Sequence, residues 1–264
     1  MQSLGMGMFN ALFLEKWDLP PKVRSEVAET LSEAVADPTV ALTHRRAAAL
    51  ALGRKASQFD AEERQKIIRT LKDVLTRPFE THPMLQSTDN PLSMLQMNVG
   101  QPDDVIAAVA WALLSFSPWI EHEEDRRLLR REIERLRASQ EEELGIGVAE
   151  GLGSFVPKGD EEERWLRTRI LLLLNSQHPT VRQGVARSLA SLVERGTLVL
   201  DAELLDTVLY LSVADHVGDR RAAAEALTAV VRSAGQDQAR VEEALENLRD
   251  DLSYLVRTRT GVEA

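Results

Sequence analysis

The sequence contains no cysteine, which excludes disulfide bonds, thiolate catalysis and zinc sites built from cysteine ligands. Aromatic residues are also scarce, at 5% of the chain, whereas alanine and leucine dominate its periodic segments. Small aliphatic side chains suit helices that approach one another closely, while β-sheets favour β-branched and aromatic residues. The composition therefore favours an all-helical protein, and the absence of cysteine fits a reducing compartment.

Long hydrophobic runs are missing as well. No apolar run reaches the roughly 18–20 residues that a membrane-spanning helix needs. The apolar N-terminal stretch MQSLGMGMFNALFLEKW has neither a basic start nor a small-residue cleavage site, so it does not have the features of a secretory signal. We predict a cytoplasmic protein without a membrane association. Arginine far outnumbers lysine, which is typical of a GC-rich prokaryotic genome.

The chain also lacks an excess of basic residues, since its formal net charge is −10. A protein that binds phosphates non-specifically normally carries the opposite charge. The acidic balance makes nucleic acid the less favoured partner and a protein the more favoured one.

A short apolar pattern returns along the chain at a nearly constant interval. Each copy is anchored by a leucine that has small or apolar residues three, four and five positions before it. The anchor leucines are Leu52, Leu113, Leu152, Leu189 and Leu227. The last four follow one another at intervals of 39, 37 and 38 residues, whereas the first interval is 61. The period indicates an array of helical hairpins, and the longer interval indicates an insertion of about 23 residues.

The apolar periodicity predicts a helix around each anchor, because it places the anchor and the residues four and eight positions before it on one helical face. An opening helix pair is predicted at 21–35 and 43–56, and a last helix at 237–258. Between the anchor helices we predict four further helices, at 61–75, 123–137, 160–174 and 201–213. Most of these four begin with acidic residues, which stabilise a helix N-terminus.

Three stretches consist of a turn followed by an amphipathic helix: HPTVRQGVARSLASL, VGDRRAAAEALTAV and DPTVALTHRRAAALALG. They resemble HEAT repeats, the antiparallel helix pairs of armadillo-like α-solenoids, and the resemblance covers roughly residues 21–235. It implies an all-α fold, a right-handed α-α superhelix of five to six helical hairpins with a long insertion loop. Since most family members are scaffolds and adaptors, it also implies a non-catalytic protein-protein interaction scaffold or regulatory subunit.

The predicted domain organisation follows from the repeat. Residues 1–20 form an apolar N-terminal cap, residues 21–258 form the solenoid, and residues 259–264 form a C-terminal tail. The insertion occupies residues 77–102.

In the HEAT family, an acidic turn residue and a basic residue of the second helix often form a ladder between repeats. Three repeats have arginine at one shared position, seven before the anchor: Arg45, Arg182 and Arg220. Acidic turn candidates are Asp37 and Asp215. The middle repeats have Ile106 and Gly145 at the arginine position, so the predicted ladder is incomplete.

The insertion 77–102 is the first candidate binding segment. Its four prolines exclude a continuous helix, and it carries three methionines, a residue type common on surfaces that adapt to partners. The partner-binding candidates are Met84, Leu85, Leu92, Met94, Leu95 and Met97. The alternative interpretation is that the methionines cover exposed edges of the core.

The anchor helices are the second candidate, because in the HEAT family they line the concave surface. A groove lined by arginines binds phosphates or carboxylates even in an acidic protein. This supports an alternative function, a nucleic-acid or phosphate-binding module that uses an Arg-lined concave groove. The concave basic candidates are Arg45, Arg46, Arg182, Arg187, Arg220 and Arg221. Glu194 and Glu225 lie on the same helices and oppose this alternative.

Signatures of catalysis are weak throughout the sequence. The stretch GIGVAEGLG, residues 145–153, has Glu150 where a dinucleotide fingerprint needs its third glycine, so we interpret its glycines as helix-packing residues. His178 and His216 are interpreted as solvent-facing turn residues. We predict that the chain is not an enzyme and has no cofactor, no bound metal and no catalytic residue.

Overall fold

The structure, a computed structural model, describes residues 20–76, 102–138, 142–231 and 237–260. Within these ranges it contains twelve α-helices and no β-strand. The predicted N-terminal cap up to residue 19 and the predicted insertion from 77 to 101 lie outside the described residues. Pro102, the last residue of that predicted insertion, is the first residue of a helix.

The helices follow the predicted order and confirm the all-α fold. In chain order they are α1 Pro21–Ala36, α2 Leu42–Arg54, α3 Ala61–Thr76, α4 Pro102–Ser115, α5 Glu123–Ala138, α6 Glu142–Leu152, α7 Asp160–Leu174, α8 Pro179–Glu194, α9 Ala202–Ser212, α10 Val217–Val230, α11 Gln238–Arg249 and α12 Tyr254–Arg257. We call α2, α4, α6, α8 and α10 the anchor helices, because each contains one anchor leucine. The five anchor leucines are all buried, as the repeat predicts.

Two compact units divide the chain, residues 1–138 and residues 139–264. In unit 1, α1 packs on α2 and α3, and α4 packs on α2, α3 and α5. In unit 2, the anchor helix α8 packs between α6 and α10, while the intervening helices α7, α9 and α11 pack in sequence on one another. Each unit therefore stacks its helical hairpins side by side.

Local sequence explains where these helices begin. The first turn of α7 contains Asp160 and three glutamates, which face the positive end of the helix dipole. The carboxylate of Asp201 accepts the backbone N–H of Leu204 at 3.0 Å and caps α9. Pro179 opens α8 at a position where the missing N–H costs nothing.

The predicted single helix at 237–258 is wrong, because α11 ends at Arg249 and α12 begins at Tyr254. The carboxylate of Asp251 accepts the backbone N–H of Ser253 at 2.7 Å, which forms an Asx turn. The same carboxylate pairs with Arg220 of α10. Asp251 therefore supports a turn at this point instead of a further helical turn.

Glycine permits the close approach of neighbouring anchor helices. A Cβ atom added to Gly53 of α2 would lie 2.8 Å from Cε3 of Trp111 and 2.9 Å from Cα of Ala112, both on α4. A Cβ atom added to Gly184 of α8 would lie 3.2 Å from Cγ of Glu150 and 3.3 Å from Cβ of Ala149, both on α6. The clash at Gly53 involves a backbone atom, which cannot move without moving α4.

The two glycines form a matched pair for mutation. We expect Gly53→Ala to lower the free energy of unfolding by about 1–3 kcal/mol, because an extra methyl group in a filled interface strains the backbone. We expect Gly184→Ala to change it by less than about 1 kcal/mol, since the Glu150 side chain can turn away and alanine favours the helix. Urea denaturation of both variants measures the difference. Equal stability of the two variants would contradict the close contact of α2 with α4.

Candidate functional site

A row of ion pairs crosses the exposed side of the anchor helices in unit 2. Nη1 of Arg187 on α8 lies 3.1 Å from Oε1 of Glu150 on α6. Nε of the same arginine lies 3.6 Å from Oε2 of Glu225 on α10. We call this surface, formed by Glu150, Arg187, Arg221, Glu225 and Arg259, the unit 2 anchor face.

Glu225 is the point where this row converges. Its Oε1 lies 3.4 Å from Nε of Arg221, four residues earlier on α10, and 3.0 Å from Nε of Arg259. Arg259 follows α12 and is held against α10 because its backbone carbonyl accepts the hydroxyl of Thr228 at 3.0 Å. One carboxylate is therefore surrounded by three guanidinium groups from three segments of the chain.

A second set of charges, closer to the core, joins successive repeats of unit 2. Arg182 of α8 makes a bidentate pair with the buried carboxylate of Asp219 on α10, with Nε 3.1 Å from Oδ1. Its Nη1 donates to the carbonyl of Ser176 in the turn before α8. Each such arginine thus fixes the turn of its own repeat and an acid of the next one.

Arg220 repeats this arrangement one hairpin later. Its Nε lies 2.6 Å from Oδ2 of Asp251, and its Nη1 donates to the carbonyls of Ala214 and Asp215, at 2.9 and 2.7 Å. The arginine positions of the predicted ladder are therefore correct in unit 2, but its acids are Asp219 and Asp251. Asp215 contributes its backbone carbonyl to Arg220.

Asp219 occupies the position eight before the anchor, so the repeat pattern did not predict its role. That position is apolar in the preceding repeat, where it is the buried Val181. The only signal is that Asp219 directly precedes the ladder arginine Arg220. Its carboxylate lies in the repeat interface, where it binds Arg182.

The six basic candidates occupy four different environments. Arg45 is buried and its Nε donates to the carbonyl of Val35 at 2.9 Å. Arg182 and Arg220 form the ladder, and Arg46 is exposed on α2. Only Arg187 and Arg221 meet on one exposed face, so a phosphate-binding role for the whole set stays a prediction. The six candidates of the insertion lie outside the described residues.

Unit 1 has an open acidic groove of about 410 Å³ between α1 and α3. Within it, the Glu63 carboxylate accepts the hydroxyl of Ser25 and the backbone N–H of Asp60. Glu62 pairs with Lys66 at 2.8 Å and raises the pKa of that lysine above its ordinary value. Glu62 and Glu63 therefore have partners within unit 1.

Of the two turn histidines, His216 is exposed, as predicted, whereas His178 is half-buried, with Nδ1 3.7 Å from Oε2 of Glu142. Nδ1 of His216 accepts the backbone N–H of Gly218 at 3.1 Å, which caps α10, and His178 occupies the corresponding position before α8. Across the described ranges, no group of three or more histidine, aspartate or glutamate residues is placed to hold a metal ion. None of the described helices has both the length and the apolar character to cross a membrane.

The Arg220–Asp251 pair makes stability depend on pH. Hydrogen bonding to the Arg220 guanidinium lowers the pKa of Asp251 below its ordinary value. The ionised carboxylate therefore stabilises the folded state fully above the unfolded-state pKa of about 3.9, and this contribution is lost as the pH falls through the lower native value.

Asp251→Asn removes this charge, and Asp250→Asn is the matched control because Asp250 is exposed and directly adjacent. At neutral pH we expect Asp251→Asn to lower the free energy of unfolding by about 1–3 kcal/mol more than the control, since it breaks a charged hydrogen bond. The gap closes as the pH falls through the lowered native pKa of Asp251. Denaturant titrations at several pH values measure it, and a gap that is independent of pH would contradict the pair.

Solved structures are similar to the chain in fold. The chain is similar to an engineered protein over 88% of its own length and 95% of that chain, with a TM-score of 0.50 and 18% sequence identity. A second engineered protein matches with a TM-score of 0.49 and 19% identity, covering 88% of this chain and 93% of the other. A designed armadillo repeat protein matches with a TM-score of 0.46 and 15% identity, covering 88% and 95%.

No protein-family model and no curated protein matches the chain in sequence. At these identities the structural similarity bears on the fold alone. The helical hairpins that stack within each unit confirm the predicted all-α fold of armadillo- or HEAT-like repeats.

Proposed function

We propose that the chain is a non-catalytic protein-protein interaction scaffold or regulatory subunit. It binds its partner on the anchor helices, with the unit 2 anchor face as the contact in the described residues, and through the insertion 77–102. The observation that carries the proposal is the row of ion pairs on that face, which holds exposed arginines in fixed positions on rigid helices.

The geometry of the face suits an extended peptide. Packed helices lie about 8–10 Å apart, and an extended chain advances about 3.3 Å per residue, so every third residue of a bound segment meets a new helix. Side chains that are already held in place lose little conformational freedom on binding. A partner segment that crosses α6, α8 and α10 would therefore meet a preorganised surface.

The buried acids of the described residues support a non-catalytic role. Asp219 binds Arg182, and Glu63 binds Ser25 and the backbone of Asp60. Both carboxylates connect neighbouring helices, and a general acid or base would instead have to face a substrate. The contacts of Asp219 and Glu63 therefore account for their burial by a role in the fold.

The alternative, binding of a nucleic acid, has less support. Non-specific affinity for nucleic acids rests on about six or more phosphate contacts along a basic surface. Arg182 and Arg220 are turned toward their ladder acids, which leaves a short cluster with interspersed glutamates. A protein partner fits this mixed charge better.

Selection from a random peptide library displayed on phage tests the proposal with purified protein. We expect enrichment of peptides whose binding is weakened about tenfold or more by Arg187→Glu, since this reverses a charge at the centre of the contact. Arg164→Glu is the matched control, because Arg164 is an exposed arginine of α7 in the same unit. Circular dichroism verifies that both variants are folded.

Failure to enrich any peptide would contradict a peptide-binding face. Equal loss of binding in the two variants would place the contact away from the anchor helices.

A further inference from the structure

The charge balance around Glu225 differs from that of the other ion pairs in unit 2. Arg167 of α7 contacts two carboxylates, Asp201 and Glu203, and Arg240 of α11 contacts Asp206 and Asp237. The ladder arginines Arg182 and Arg220 each pair with one carboxylate. Around Glu225, three arginines share one carboxylate, and only Arg187 has a second one. We call Arg187, Arg221 and Arg259 the arginine cluster.

The cluster retains unused hydrogen-bond donors. A guanidinium group carries five N–H donors, and the ion pairs of Arg221 and Arg259 with Glu225 are made through Nε, at 3.4 and 3.0 Å. No described residue accepts a hydrogen bond from Nη1 or Nη2 of these two arginines. Their terminal nitrogens are therefore available to an anion.

Exposure allows a ligand to reach these donors. The side chains of Arg187, Arg221 and Arg259 are 54%, 37% and 47% exposed, whereas that of Glu225 is 17% exposed. The carboxylate thus lies beneath the guanidinium groups and holds them near one another. A ligand that approaches from solvent meets positive charge first, in a chain whose net charge is −10.

We infer that the arginine cluster recognises an acidic segment of the partner protein. Aspartate or glutamate carboxylates of that segment accept hydrogen bonds from the terminal nitrogens of Arg221 and Arg259, in the paired geometry that guanidinium and carboxylate groups favour. This inference rests on the proposed function and specifies the chemistry of the partner.

Carboxylates fit this face better than a nucleic-acid backbone does. Glu150 lies beside Arg187, and Glu194 is exposed two helical turns after it on α8. A nucleic acid has a charge at every nucleotide and would meet these glutamates. A peptide can place neutral residues opposite them and its acidic residues opposite the cluster.

Fluorescence anisotropy tests the inference with three defined probes at low ionic strength. The first is a short fluorescein-labelled peptide of glutamate, glycine and serine, the second replaces each glutamate by glutamine, and the third is a short oligothymidylate. We expect the glutamate peptide to bind, the glutamine peptide not to bind, and the affinity to fall as salt is added.

Two variants with matched charge separate the cluster from general attraction. We expect R221Q/R259Q to bind the glutamate peptide about tenfold more weakly or worse, since two charged hydrogen-bond donors are lost. R131Q/R249Q removes the same charge from two exposed ion pairs and should bind like the original chain. Melting curves verify that each variant is folded.

Glu225→Gln provides an opposite readout that does not depend on the stability of the double variant. It removes the negative charge that competes for the three guanidinium groups and keeps an amide oxygen that still accepts their hydrogen bonds and holds them near one another, so we expect the peptide to bind about threefold or more tightly. Unchanged or weaker binding by folded E225Q would overturn the inference. Equal binding by R221Q/R259Q and R131Q/R249Q would do the same.

The remaining outcomes separate this inference from the proposed function. Binding of the oligothymidylate in preference to the peptide would overturn the inference in favour of nucleic acid. Enrichment of peptides that are not acidic, but that still depend on Arg187, would overturn it and leave the scaffold function intact. Absence of any enriched peptide would contradict the peptide-binding face and, with it, the function proposed for this face.

Discussion

The close packing of neighbouring anchor helices is the constraint on which the other features depend. A single helical hairpin cannot bury its apolar stripe alone, so each hairpin relies on the next for its stability. Alanine and glycine at the interface allow α2 to contact α4 and α8 to contact α6 and α10. The helix spacing that results determines which charged side chains of successive repeats can meet, and hence the geometry of the unit 2 anchor face.

Buried ion pairs fix the alignment of the packed helices relative to one another. A carboxylate as buried as that of Asp219 costs free energy unless it is paired, and removal of its partner would leave an uncompensated charge. Displacement of α10 along α8 by one helical turn would separate Asp219 from Arg182 while many apolar contacts could re-form. The ladder therefore specifies one alignment of the helices, whereas the apolar stripe mainly supplies the attraction between them.

Much of the fold could be predicted from the sequence, because leucines that recur at a nearly constant interval indicate the buried face of each repeat. The ladder arginines were also visible as a repeated position. Asp219 could not be found this way, since it replaces an apolar residue of the template, and neither could Glu225 as the centre of an arginine cluster. Arg259 was assigned to a tail, yet the adjacent Thr260 is buried and Thr228 holds Arg259 against α10. Contacts between residues that are distant in sequence and follow no period require coordinates.

The adjacency of Asp219 and Arg220 has a consequence for how such a protein can grow. Asp219 pairs with Arg182 of the preceding hairpin, whereas the next residue, Arg220, pairs with Asp251 after it in the chain. A tandem duplication of the hairpin that contains α9 and α10 would therefore copy both an acid for the arginine of the preceding hairpin and an arginine for the acid of the following one. The chain could be lengthened by copying this module without any compensating mutation elsewhere, which is a simple evolutionary route from a short array to a long one.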